Sequence, residues 1–142
     1  ADSLIDKNIL IIGYGRIAKA LHRLLAAYGS NITVCSRSAE SAELSSFYGA
    51  SHIYFPELKK KNDFDIVINT VPHIVLTEAE LKALKKSVII LDLASFPGGA
   101  DTLMAASLGL KIINGRGMPS KFTAKAAGEA IGCAADEIIR QL

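Results

Sequence analysis

This sequence predicts an α/β fold built on a doubly wound parallel sheet, and three observations lead there. Short β-branched runs alternate with segments of helical period from one end to the other. The first run, residues 9–12 (Ile-Leu-Ile-Ile), is apolar without alternation, as a strand covered on both faces must be. A glycine-rich turn, Gly13-Tyr14-Gly15-Arg16-Ile17-Ala18, then leads straight into an amphipathic helix.

Each element follows in order. Over residues 16–28, Ile17, Leu21, Leu24, Leu25 and Tyr28 recur at helical spacing, leaving Arg16, Lys19, His22 and Arg23 for the opposite face. Gly29 closes this helix, because glycine enters the left-handed region without a Cβ penalty. Residues 32–35 read as a second strand, 39–48 as a helix stopped at Gly49, and 52–55 as a weak third strand. A strong fourth strand spans 65–69. Thr77 and Glu80 have capping-box spacing and start a helix to Leu84. Residues 88–92 form the fifth strand, 101–108 a short helix ended by Gly109, and 111–114 the sixth strand. A last helix buries Ala127, Ala130, Ile131, Ala134, Ile138 and Ile139. Strands joined this way by right-handed crossovers suggest the order 3-2-1-4-5-6 of a Rossmann fold, as a single domain over residues 1–142. Ligands in such sheets lie beyond the carboxyl ends of the strands, where strands one and four diverge.

Composition narrows the function classes. The 142 residues are 50% hydrophobic and 21% charged, which is globular, and the net charge of +2 argues against a dedicated nucleic-acid surface. The run Lys59-Lys60-Lys61, flanked by Glu57 and Asp63, reads as a solvated loop. Cys35 and Cys133 have no metal-ligand spacing, so neither a metal site nor a disulfide is expected, and a reducing cytoplasm fits. Cys35 lies in an apolar run and reads as a buried structural thiol. No stretch approaches the ~18 apolar residues of a membrane span, and no signal-peptide pattern is present. The chain lacks an initiator Met and enters its first strand at once, which predicts a fragment of a longer protein.

The glycine turn has the chemistry of a dinucleotide cradle. Gly13 allows the tight turn, Gly15 lets a diphosphate approach the backbone, and Ala18 takes the third small position, where helix and strand pack closely. The N–H groups of Arg16 and Ile17 then face the phosphates at the positive end of the helix dipole. An NAD-binding version usually places Asp or Glu at the end of strand two to bond the ribose 2′-hydroxyl. Here Ser36-Arg37-Ser38 stands instead. A guanidinium can pair with a 2′-phosphate that a carboxylate would repel, so NADP is expected over NAD. Ser38 also has the character of an N-cap for the following helix.

The remaining strand ends are less decisive. Asn69-Thr70-Val71-Pro72 follows strand four, where a nicotinamide ribose would lie, although a proline also simply ends a strand. His73 is a candidate for proton transfer or a bystander in a loop. Leu93-Ala94-Ser95-Phe96-Pro97-Gly98-Gly99 follows strand five, and its glycines allow close approach to a ligand or shape a plain loop. Arg116, Lys121 and Lys125 follow strand six and are candidates for collecting a carboxylated substrate.

These loops carry a family resemblance. Asn69-Thr70-Val71-Pro72 with Val75-Leu76-Thr77, Asp92-Leu93-Ala94-Ser95 with Pro97-Gly98-Gly99 and Asp101, and Gly117-Met118-Pro119 with Lys121, Lys125, Ala127 and Gly128 resemble the family of the dipicolinate synthase A component, as does the Gly13-Tyr14-Gly15-Arg16 turn. The resemblance runs over essentially the whole chain, with departures at His73, Ala100, Ser120, Ala124 and Ala126, most of them towards the expected substrate end. It implies the C-terminal NADP-binding domain of such an enzyme, without the family's N-terminal domain. It further implies oxidation of dihydrodipicolinate, a small dicarboxylate, to dipicolinate by hydride transfer to NADP+, in the mother cell of a sporulating bacterium. The B component of dipicolinate synthase is implied as partner. Cofactor contacts are expected from Gly13 through Ile17, from Ser36 to Ser38, from Asn69 to Pro72 and from Ser95. Substrate contacts are expected from His73, Arg116, Lys121 and Lys125. An NADP-dependent dehydrogenase of another small acid, such as a hydroxyacid or shikimate, stays open as an alternative. So does a dinucleotide sensor without chemistry, and so does the oligomeric state, a homo-oligomer included.

Overall fold

The computed structural model describes residues 4–115 and Arg140. Six strands, β1 (Asn8–Ile12), β2 (Asn31–Cys35), β3 (Ser51–Ile53), β4 (Ile66–Asn69), β5 (Ile89–Asp92) and β6 (Lys111–Asn114), form one sheet of order β3-β2-β1-β4-β5-β6. All five pairings are parallel. Among the described residues, the α-helices that flank the sheet are α1 (Arg16–Ala27), α2 (Ala39–Phe47), α3 (Glu78–Ala83) and α4 (Thr102–Ser107). The predicted order therefore holds, and the chain reverses its winding between β1 and β4. The expected final helix, with Ala127 to Ile139, lies outside the described residues.

The unbroken apolar character of β1 has a direct cause. Ile9 and Ile11 enter one core with Ala18, Leu21 and Leu25 of α1. Leu10 and Ile12 point the other way, into a second core with Leu76, Leu81 of α3 and Ala105 of α4. Both faces of the strand are dry, and all four side chains are fully buried. Each such side chain contributes about 1.5–3 kcal/mol.

Three details differ from expectation. The buried face of α1 is Ala18, Leu21, His22 and Leu25, so His22 belongs to the interior and not to the solvent face. Tyr28 follows the last helical residue as its C-cap and is half exposed. Strand β3 stops at Ile53, and Phe55 belongs instead to a 3-10 turn, Phe55–Lys60. Pro56 explains the stop, since it has no N–H to continue a ladder and suits the start of a helical turn. The lysine run thus begins on this turn and is not all loop; it is exposed as expected, with Lys59 4.0 Å from Glu80.

The capping box before α3 forms as its spacing predicts, with Thr77 N–H and hydroxyl both bonded to the Glu80 carboxylate. Cys35 is buried, and burial pushes its thiol up to about 12, as an inert structural residue requires. At the amino end of the sheet, Asp65 is bonded by Lys85 and accepts from the Asn8 N–H at 2.8 Å. Burial alone would raise the Asp65 carboxyl, but these bonds and the charges of Lys85 and Lys7 outweigh it and hold it below its ordinary value. A depressed carboxylate adds stability above its unfolded pKa and loses it as pH falls through the folded one. Lys85→Met is therefore expected to lower the urea midpoint at pH 7 more than at pH 3. An equal loss at both values would contradict the pairing.

Candidate functional site

The carboxyl ends of β1, β2, β3 and β4 surround a cleft of about 1240 Å³. That exceeds the usual ~300–1,000 Å³ of a small-molecule pocket and suits an elongated ligand. Its floor is the turn after β1. Gly13 has φ +90°, donates its N–H to the Cys35 carbonyl at 2.8 Å, and packs against the loop after β4. A Cβ there would come within 2.5 Å of Thr70 Oγ1 and 2.9 Å of Val71 Cγ2, so protein atoms alone dictate this glycine. Gly15 is different. Its backbone is extended, with φ −84° and ψ −162°, and an added Cβ would meet nothing within 4 Å. Gly15 is the N-cap of α1 and supplies no side-chain bond, and the first turn carries no acidic residue. The leading amides of α1 thus stand at the edge of an open space with their positive dipole uncompensated. Such a cradle fits a diphosphate, and Gly15 lacks a side chain where that group would sit.

One side wall is Ser36, Arg37 and Ser38 after β2, joined by Tyr54, Phe55 and Pro56 after β3. Arg37 is exposed, and among the described residues no carboxylate pairs with it. The two serines are engaged within the protein. Ser36 Oγ lies 2.7 Å from His52 Nε2, and Ser38 Oγ caps α2 by accepting from Ser41 N–H at 3.1 Å. The N-cap character of Ser38 is thus realised.

The opposite wall is Thr70, Val71, Pro72 and His73. Thr70 is pinned by its hydroxyl, which donates to the Ile12 carbonyl at 2.7 Å. Asn69 is not on the wall. It is fully buried, accepts from Val71 N–H at 3.1 Å, and donates through Nδ2 to Val71 O at 2.9 Å and to Asp92 Oδ1 at 3.0 Å. Its amide is spent on shaping the loop. Ser95 also lies off the cleft wall, and its carbonyl accepts from Gly98 N–H at 2.8 Å. The glycine pair serves this arrangement, since a Cβ on Gly99 would fall 1.9 Å from Asn69 Nδ2. Gly99 N–H and Ala94 N–H donate to the Asp92 carboxyl at 2.8 and 3.2 Å. Arg116, Lys121 and Lys125 lie outside the described residues.

Tyr14 projects from the floor, with its hydroxyl 2.9 Å from His22 Nδ1. This contact and a hydrogen bond with the Tyr48 backbone satisfy the buried His22; burial, aided by Arg23, outweighs the Tyr48 bond, pushes the imidazole below its ordinary value and so favours the neutral ring. Sequence reading missed Ser41, Tyr54, Phe55, Pro56 and Val75 as wall residues. The rule that ligands lie beyond strand carboxyl ends points to Tyr54 and its neighbours once β3 is placed beside β2.

Comparison with known proteins agrees with this geometry. A family model described as D-isomer specific 2-hydroxyacid dehydrogenase, NAD binding domain, matches residues 1–95. The A component of dipicolinate synthase from Bacillus subtilis is 31% identical over 136 residues, covering 95% of this chain and 46% of that protein. The crystal structure of that component from the same organism superimposes with a TM-score of 0.82 at 30% identity, over 99% of this chain and 47% of that one. A shikimate dehydrogenase (NADP(+)) of Methanococcus maripaludis is 34% identical over 134 residues, 81% of this chain and 46% of that protein. The chain therefore spans about half the length of the curated relatives it matches. With some two thirds of the sequence matched by the model and a cradle built for a dinucleotide, the chain belongs to the NAD-binding domain family of the D-isomer specific 2-hydroxyacid dehydrogenases, and it is similar throughout to the dipicolinate synthase A component.

Proposed function

We propose that this domain binds NADP(H) and serves a dipicolinate synthase, in which dihydrodipicolinate is oxidised to dipicolinate. The observation that carries the cofactor choice is the acid-free, basic end of β2: Ser36, Arg37 and Ser38 line the cleft and Arg37 has no carboxylate partner among the described residues. Amides at the start of α1 hold the diphosphate, Arg37 pairs with the 2′-phosphate, and Tyr54, Phe55 and Pro56 form a wall for adenine. Thr70, Val71 and Pro72 border the nicotinamide end. The bound cofactor supplies the hydride acceptor, and the ring that loses a hydride and a proton becomes aromatic. His73, at the open rim, with Arg116, Lys121 and Lys125, receives the substrate carboxylates. The proposal includes the B component of dipicolinate synthase as a partner and the mother cell of a sporulating bacterium as the setting.

A second reading, an NADP-dependent dehydrogenase of a shikimate-like acid, is favoured by the likeness to the archaeal shikimate dehydrogenase. Both readings need Arg37. Arg37→Ala is expected to weaken NADP+ about tenfold or more, as loss of a charge-assisted bond to phosphate does, and to leave NAD+ within twofold. Isothermal calorimetry with both dinucleotides checks this, and equal losses would remove the NADP assignment. Substrate identity is tested by following NADPH absorbance when the full-length protein and the B component are given dihydrodipicolinate or shikimate. Turnover of shikimate alone would favour the second reading.

A further inference from the structure

We propose that His52 is a positioning residue that acts through Ser36 to aim a hydroxyl proton at the 2′-phosphate of the cofactor. This rests on the NADP reading above and extends it to a residue that does not itself line the cleft. Ser36 follows β2 directly, at the position where an acidic residue would select NAD. Its hydroxyl is 2.7 Å from His52 Nε2 on the neighbouring strand β3. A serine hydroxyl has one proton to give, so the state of that imidazole nitrogen decides what Ser36 presents to the cleft. When Nε2 carries hydrogen and donates, the Ser36 proton is released towards the cleft, where a phosphate oxygen accepts it. When Nε2 is bare, Ser36 donates to it and shows only lone pairs outward, which suit a ribose hydroxyl and repel a phosphate. A 2′-phosphate therefore selects the His52 forms protonated at Nε2, and the imidazolium is committed to that form.

The surroundings of the ring are suited to such a response. Ser36 faces it from just beyond β2, and the Tyr54 ring meets it edge-on at 4.8 Å between centroids. Glu57, on the 3-10 turn, is the charged group acting on it; Glu57 is held by Tyr54 N–H at 2.6 Å. The acidic residues of α2, which packs on β3, are Glu40 and Glu43, and both are exposed to solvent. Burial pushes His52 below its ordinary value and Glu57 partly offsets this, so the neutral ring is favoured and a ligand can draw a proton onto it.

The test uses adenosine 2′,5′-bisphosphate and adenosine 5′-monophosphate as probes of the adenine end. The His52 imidazole is followed by NMR titration and identified by its loss in His52→Gln. Because the ring itself is observed, the phosphate's own proton, lost near about pH 6, does not confuse the reading. The expected result is an upward shift of the His52 titration with the 2′-phosphate ligand and none with the monophosphate. In Ser36→Ala that shift should shrink by at least half, and the bisphosphate should bind about tenfold more weakly. A shift of equal size in Ser36→Ala would overturn the relay, since it would report only through-space charge. An unmoved His52 in a protein that still prefers the bisphosphate would overturn the relay and leave the NADP reading standing. No preference for the bisphosphate in the unaltered protein would overturn both.

Discussion

Gly15→Val should lower affinity for either nicotinamide dinucleotide by about 100-fold, or ~2.7 kcal/mol, while the thermal midpoint falls by only a few degrees, the cost of a poorer N-cap. The contrast follows from where the new side chain goes. Nothing in the protein lies within 4 Å of a Cβ at this position, and its φ of −84° is open to any L residue. The fold therefore has room for a Cβ here, and a ligand approaching the start of α1 meets the added side chain. Gly13 supplies the opposite case in the same turn. Gly13→Ala places a methyl against Thr70 and Val71 at a φ of +90°, and strain together with overpacking should cost about 1–3 kcal/mol of stability. Calorimetric titration and thermal melts on the two variants separate the roles. Unchanged dinucleotide affinity in a folded Gly15→Val protein would mean that the diphosphate is not held at this turn, and the site assignment would fall.

Asp92→Ala should produce the largest loss of stability, roughly 3 kcal/mol or more, because it leaves several buried donors without an acceptor. The carboxyl is 2% exposed and accepts from Asn69 Nδ2, Ala94 N–H and Gly99 N–H. Each stranded donor costs about 1–3 kcal/mol. Asp92→Asn keeps one carbonyl oxygen but turns an amide towards a second donor, so it should recover only part of the loss. Urea unfolding read by circular dichroism gives both values. A loss below about 1 kcal/mol for Asp92→Ala would show that the loops after β4 and β5 find other partners.

Much of the architecture was legible because it follows from period and punctuation. The two-sided burial of β1 is written in Ile9 to Ile12, and the helix stops at Gly29, Gly49 and Gly109 all have positive φ. The glycine turn could be read for the same reason. Its chemistry is backbone chemistry, fixed by which residues lack a side chain. Side-chain partnerships across the sheet were not legible. Asn69 looked like a ligand contact because of its strand-end position, yet its amide closes on Val71 and Asp92, whose proximity only the pairing of β4 with β5 creates. His22 looked solvent-facing from its polarity, and the Tyr14 hydroxyl and the Tyr48 backbone, which make its burial tolerable, are not visible in the helical period. Ser36 and His52 are 16 residues apart in sequence and meet only because β2 lies beside β3.

The Asn69–Asp92–Gly99 knot also bears on how tightly the cleft can hold anything. Val75 N–H and Leu76 N–H both donate to the Gly99 carbonyl, at 2.9 and 2.8 Å, so the segments leaving β4 and β5 are sewn together twice. Their relative placement is settled when the chain folds. A molecule that later touches the Thr70–Pro72 rim meets a surface with little freedom left to lose, so less of its contact energy is consumed in ordering loops. Loosening that seam should show first as faster dissociation of a bound nucleotide, before any element of the sheet gives way.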